Sequence, residues 1–196
     1  DKSGDGHYSL ISALHKSIRG SDVQAALYWL ARMIVAGEEP LYLLRRLTRM
    51  AIEDIGNADP NAVLQAVAAR EVYEFLGSPE GDLALTHLVV YLANAPKSNA
   101  QYMANYAVLD DAKRTSHLNP PKHIINAPTK LMKEAGFADG YIYDHDTPNC
   151  FSGQNYFPDK MKRKEYYKPN ERGFEREIKK RMEYWDNLRI KLNQKK

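Results

Sequence analysis

Cysteine is almost absent from this chain: Cys150 is the single one in 196 residues. No intramolecular disulfide can form, which suits a reducing compartment. No run of 18 apolar residues exists, and no basic n-region is followed by an apolar stretch and a cleavage site. Neither a membrane span nor secretion has support, and a cytoplasmic chain without a membrane partner is expected. Glycine-rich phosphate loops are missing too. Nothing matches G-x-x-x-x-G-K-[ST] or G-x-G-x-x-G, and Lys97-Ser98 lacks the glycines that let backbone amides approach a phosphate. An ATPase site is therefore not encoded here. The six histidines include no H-E-x-x-H and no Cys/His cluster at zinc spacing, so no catalytic, cofactor or metal residue is predicted.

What is present bounds the answer further. A chain of 196 residues holds one or two domains. On folding it removes about 70% of its unfolded surface from water, enough for a core without staples. The opening Asp1-Lys2-Ser3-Gly4-Asp5-Gly6 has the composition of a connector and predicts a piece of a longer protein. Charge is unevenly spread. Residues 1–117 hold 11 Lys/Arg against 14 Asp/Glu, whereas residues 118–196 hold 17 against 11, so the basic character lies in the second half.

The first half patterns as helices. Ser21-Asp22 supplies an N-cap, and Val23, Ala26, Leu27, Leu30, Ala31 and Ile34 follow at helical spacing, with Ala25, Trp29 and Met33 widening the stripe and Gly37 as a stop. A second helix starts near Pro40, buries Leu44, Leu47, Ala51 and Ile55, and ends near Gly56. A third starts at Asp59-Pro60 with Leu64, Val67, Ala68, Val72 and Phe75 inward, and stops at Gly77-Ser78-Pro79. A fourth buries Leu85, Leu88, Val89 and Leu92, and a fifth runs from about Asn99 to Ala112. The short connections predict antiparallel neighbours in an all-α helical bundle, and no repeat consensus argues for a solenoid.

From Ser116 to Asn170 the chain concentrates most of its prolines. An ordered but irregular Pro-rich segment wrapped on the bundle is expected, with a short helix from Thr129 to Glu134 and with Tyr141-Ile142-Tyr143 as a short strand or extended chain. A long C-terminal helix follows from about Glu171 to Leu192, its narrow stripe of Ile178, Trp185 and Leu192, with Leu188 between, suited to one neighbouring helix.

Several groups carry candidate chemistry. Asp144-His145-Asp146 has alternating donors for a divalent ion, but an exposed turn whose Asp and Pro148 serve geometry is the preferred reading. Cys150 beside Phe151 reads as a small apolar residue rather than a nucleophile. Arg45 and Arg49 lie four apart on one helix face with Glu53 a turn beyond: a solvated stripe or a contact with a neighbouring subunit. The segment Lys160, Lys162, Arg163, Lys164, Tyr166, Tyr167 and Lys168 interleaves cations with aromatic rings, a mix that neutralises phosphates and stacks bases, so it is the candidate DNA- or partner-binding segment.

Certain strings go further. His15-Lys16-Ser17-Ile18-Arg19-Gly20-Ser21-Asp22, Ala25 to Met33, Glu53-Asp54-Ile55-Gly56-Asn57-Ala58-Asp59-Pro60, Ala95-Pro96-Lys97-Ser98-Asn99 and Asn126 to Lys133 resemble, in this order, the C-terminal region of the RarA/MgsA family. These are replication-associated recombination proteins of the AAA+ class, whose eukaryotic relatives interact with the Werner helicase. The resemblance implies residues 1–33 as a linker and the end of the region after the ATPase lid, and residues 34–196 as a clamp-loader-collar-like helical oligomerisation domain. It implies a homotetramer without catalysis of its own, with ATP and Mg held by the ATPase portion of a longer parent. Through that parent it implies DNA and single-strand-binding protein as partners at stalled forks, and a nucleoid-associated location. Candidate subunit-interface residues are Trp29, Arg45, Arg49, Ile178, Trp185 and Leu188.

Overall fold

A computed structural model describes residues 2–194, and among these there are helices and turns but no strand. The helices are α1 (Lys2–Arg19), α2 (Val23–Val35), α3 (Pro40–Met50), α4 (Asn61–Leu76), α5 (Asp82–Asn94), α6 (Ala100–Thr115), α7 (Lys130–Glu134) and α8 (Glu175–Asn193). The chain divides into two compact units, one of Asp1–Ala104 with Tyr167–Lys179 and one of Asn105–Tyr166 with Lys180–Lys196.

The first unit holds the hydrophobic core. Helix α5 contacts α1, α2, α3 and α4 and is its centre. It buries Leu85, Leu88, Val89 and Leu92 as expected, flanked by Ala84 and Ala93. Helix α3 buries Leu43, Leu44, Leu47 and Met50, and Pro40 starts it where a missing N–H costs nothing. The caps follow the sequence. Asp22 Oδ1 accepts from Ala25 N at 2.9 Å at the head of α2, and Asp59 Oδ1 accepts from Asn61 N at 3.0 Å before α4.

Three elements differ from expectation. Residues 2–6, connector-like in composition, are the first turns of α1, which is anchored further along by Ile11, Leu14 and Ile18. Packing of that apolar stripe outweighs the weak helix propensity of the glycines near the start. Helix α4 is turned from its expected orientation: Ala62, Ala66 and Ala69 are inside, whereas Leu64, Val67, Val72 and Phe75 are exposed. A face of alanines admits closer helix approach than a face of large side chains, so the alanines take the interior. Helix α8 begins at Glu175, four residues later than the expected start at Glu171. The reason is Gly173, at φ +53, whose neighbour Phe174 donates its N–H to Ala58 O at 2.8 Å. A Cβ on Gly173 would lie 2.1 Å from that carbonyl oxygen, so only glycine fits.

The second unit has little apolar interior. Every residue of the buried hydrophobic core lies between Ile11 and Ala95, while the second unit buries Asp111 and Gln154. Polar networks hold it. Asp111 accepts from Lys164 Nζ at 2.7 Å, Tyr166 OH at 2.9 Å and Arg114. Gln154 pairs both ends of its amide with the backbone of Ile142, at 3.0 and 2.7 Å, so 141–143 is extended chain stapled by a side chain rather than a strand. Thr129 caps α7, its Oγ1 accepting from Met132 N at 3.2 Å. Trp185 stacks on Phe151 with ring centroids 5.0 Å apart, so its apolar contact is an irregular segment and not the helix expected to receive it.

Candidate functional site

The densest polar cluster lies in the first unit around Asp54. Past Met50, α3 continues as a single π turn, Ala51–Ile55, which carries Glu53 and the buried Asp54. Such turns shift side chains around the helix axis and recur at functional sites. Here the turn delivers Asp54 to α1. Arg19 Nε donates to Asp54 Oδ1 at 2.7 Å, and His15 Nε2 lies 2.6 Å from Oδ2. Glu53 receives Arg49 Nε at 2.8 Å and lies 3.5 Å from Arg19 Nη2. Ser98 N donates to the backbone oxygen of Asp54 at 2.7 Å. Burial works to raise the Asp54 pKa, but the bonds from His15 and Arg19 prevail and hold it below the usual carboxylate range.

Ligand atoms of His15, Glu53 and Asp54 lie within 4.8 Å of one another, a spacing that a cation can span. The guanidinium of Arg19 already bonds to Asp54 and approaches Glu53, so a fixed side-chain cation supplies the positive charge there. The cluster is an ion-pair hub joining α1, the π turn and residue 98. Next to it, Lys97 Nζ donates to Ser21 Oγ, Ala93 O and Ala95 O at 3.1, 3.0 and 2.6 Å, closing the C-terminal end of α5. Burial lowers the Lys97 pKa. Ser98 Oγ donates to the buried Glu175 at 2.8 Å, and Arg172 Nη1 donates to Lys97 O at 3.3 Å. Three of the strings that resemble the RarA/MgsA family thus meet here, through His15 and Arg19, Glu53 and Asp54, and Lys97 and Ser98. No spacing rule reveals this, because 39 residues separate His15 from Asp54.

The candidate DNA-binding segment is divided. Lys160, Lys162, Arg163, Lys164 and Tyr166 belong to the second unit, Tyr167 and Lys168 to the first. Lys164 and Tyr166 are bonded to Asp111, and Arg163 lies 3.6 Å from Asp186 and over the Phe157 ring. Burial pushes the Tyr167 phenol up to about 12. Lys160, Lys162 and Lys168 stay exposed. In the second unit Asp144 accepts from Ser152 N and Tyr156 OH at 2.8 and 3.0 Å, so its carboxylate serves a turn, and Cys150 is an exposed free thiol.

Of the candidate interface residues, Trp29 is partly buried on the core and edge-on to Tyr28. Arg45 lies 4.0 Å from Glu39, Arg49 holds Glu53, Ile178 is half-buried in the first unit, and Trp185 and Leu188 belong to the second. An exposed apolar face lies elsewhere, on α4. Leu64 (61% exposed), Val72 and Phe75 (88%) follow at helical spacing, and Val72 shares a 240 Å³ groove with Leu83 (73%) and Leu88 of α5. Its signal was the very periodicity that pointed it inward.

Comparison with known proteins agrees with the resemblance. The family described as MgsA AAA+ ATPase C terminal matches residues 20–186. The chain is similar to Replication-associated recombination protein A of Haemophilus influenzae, 50% identical over 184 residues, covering 93% of this chain and 41% of that protein. The Escherichia coli K12 protein of the same name is 50% identical over 179 residues, with 91% and 40% covered. ATPase WRNIP1 of Dictyostelium discoideum is 44% identical over 177 residues, covering 85% of this chain and 19% of that protein. The chain thus spans about two fifths of the length of the two bacterial relatives. Among the described residues no helix is long and apolar enough to cross a membrane.

Proposed function

Because this chain belongs to the MgsA AAA+ ATPase C-terminal family, we propose that it is the tetramerisation domain of a clamp-loader-like AAA+ ATPase working in DNA replication, recombination and repair at stalled forks. ATP and Mg are handled by the ATPase portion of the parent, and DNA and single-strand-binding protein are partners of that parent. The exposed face of α4 carries the reading. Leu64, Val72, Phe75 and Leu83 place large side chains in water where the fold already has alanines to bury, a costly arrangement unless another subunit covers it. The partner is a second copy of this chain, in a closed symmetric assembly.

Sedimentation equilibrium at low and high salt tests this. A mass near four times 22.4 kDa that persists at high salt is expected. Phe75→Glu should reduce it to monomer without loss of helicity, and a wild-type monomer at all concentrations would refute the proposal. A second reading, docking of DNA or an acidic partner on residues 160–168, retains Lys160, Lys162 and Lys168 as exposed cations and is the weaker one.

A further inference from the structure

The first unit contains 13 Lys/Arg and 15 Asp/Glu in its sequence, so on balance it is slightly acidic. Its cations are nevertheless gathered. Three neighbouring depressions of 410, 220 and 550 Å³ share lining residues: Arg19 lines the first and second, Arg46 the second and third, Glu53 the third and first. They therefore form one surface. Seven Lys/Arg line it against two carboxylates.

Both carboxylates are spent, Asp54 on His15 and Arg19, Glu53 on Arg49. Lys16, Arg46, Lys97 and Arg172 have no carboxylate within ion-pair distance among the described residues. Arg46 is the sharpest case: its Nε is buried and has no hydrogen-bond acceptor. Lys97 has used its three donors on backbone and Ser21 oxygens, so it contributes charge rather than a bond. Between the cations stands Tyr8, 75% exposed, whereas Tyr42 packs on the core beside His7 and the Tyr102 ring is faced by Arg49. Unpaired like charges on one surface repel, and an anionic ligand that bridges them relieves this. Aromatic rings among cations add base stacking, which requires bases that are not already paired.

We propose that this face of the first unit, centred on Lys16, Arg46 and Arg172, binds the phosphate backbone of a single-stranded nucleic acid. It shares no lining residue with the groove on α4 or with residues 160–168.

The test is fluorescence anisotropy of a labelled oligothymidylate with the full chain. Lys16→Glu/Arg172→Glu changes two exposed residues that no carboxylate holds; Arg172 gives up its 3.3 Å bond to Lys97 O, so helicity and thermal unfolding equal to wild type are the control for folding. Affinity is expected to fall about tenfold or more, because each reversal removes one phosphate contact and adds a repulsion. For the wild type, three to four phosphate contacts give a log–log salt slope of about −2 to −3, reduced in the variant. Lys160→Glu/Lys162→Glu should leave affinity unchanged. Equal affinity of the Lys16→Glu/Arg172→Glu variant and the wild type overturns the proposal. So does duplex binding as tight as single-strand binding, which removes the stacking role, or binding of polyglutamate without binding of oligothymidylate, which makes the occupant an acidic protein segment.

Discussion

Asp54→Asn tests the hub most directly. The wild-type carboxylate is 6% exposed and takes two short bonds, from Arg19 Nε at 2.7 Å and from His15 Nε2 at 2.6 Å. An amide of the same shape keeps one acceptor, loses the negative charge and presents an N–H₂ group to one of these donors. A charge-assisted hydrogen bond contributes roughly 1.5–3 kcal/mol. Breaking a fully buried pair costs about 3–5 kcal/mol, but half-exposed Arg19 can be re-solvated, so a loss of about 2–3 kcal/mol is expected. For a chain of this size that corresponds to a Tm lower by about 5–10 °C. Urea denaturation at several pH values is the assay. The Asp54 pKa is depressed in the folded state, so its stabilisation is fully present above the unfolded value of about 3.9 and is lost as pH falls through the folded value. The gap between wild type and variant should therefore be constant near neutrality and close on strong acidification. A loss below about 0.5 kcal/mol, or a gap that widens with acid, would refute the hub as a stabilising feature.

Other expectations follow from the same contacts. Gly173→Ala should free residues 171–174 from the core, since its Cβ would meet Ala58 O at 2.1 Å; fast hydrogen exchange at the Phe174 amide would report it, and wild-type protection would refute the close approach. Glu175→Ala strands the donors Ser98 Oγ and Asn170 N, which lie 2.8 and 2.7 Å from its oxygens, and should cost about 2–4 kcal/mol in denaturant unfolding. Asp111, held well below the usual carboxylate range by Lys164, Arg114 and Tyr166, stabilises the second unit above the unfolded carboxylate pKa. Amide exchange in 105–166 should therefore accelerate in acid before that of α5, and simultaneous loss would contradict a polar-held second unit. Phe75→Glu should abolish self-association while leaving monomer stability within about 0.5 kcal/mol, because Phe75 touches little in its own chain.

Much of this molecule is local and so could be read along the chain. The Asp22 cap, the start of α3 at Pro40, the buried Leu85, Leu88, Val89 and Leu92 of α5 and the Thr129 cap each depend on residues within a turn or two of one another. Family membership was legible for a related reason, since ordered strings such as Glu53 to Pro60 persist along a chain whatever their partners. Non-local properties were not legible. Helix α4 offers two faces, one of alanines and one of large apolar residues, and periodicity alone favours the wrong one; the shape of α3 and α5 decides. The basic string at 160–168 looked free because Asp111 and Asp186, which engage part of it, lie 53 and 23 residues away from Lys164 and Arg163. Conversely, the cations of the first unit are scattered through an acidic stretch and become a surface only when α1, α3, residue 97 and residue 172 are brought together. Helix periods and caps depend on backbone geometry, which a few consecutive residues determine, whereas charge fields and buried faces depend on distances through space that only the tertiary structure sets.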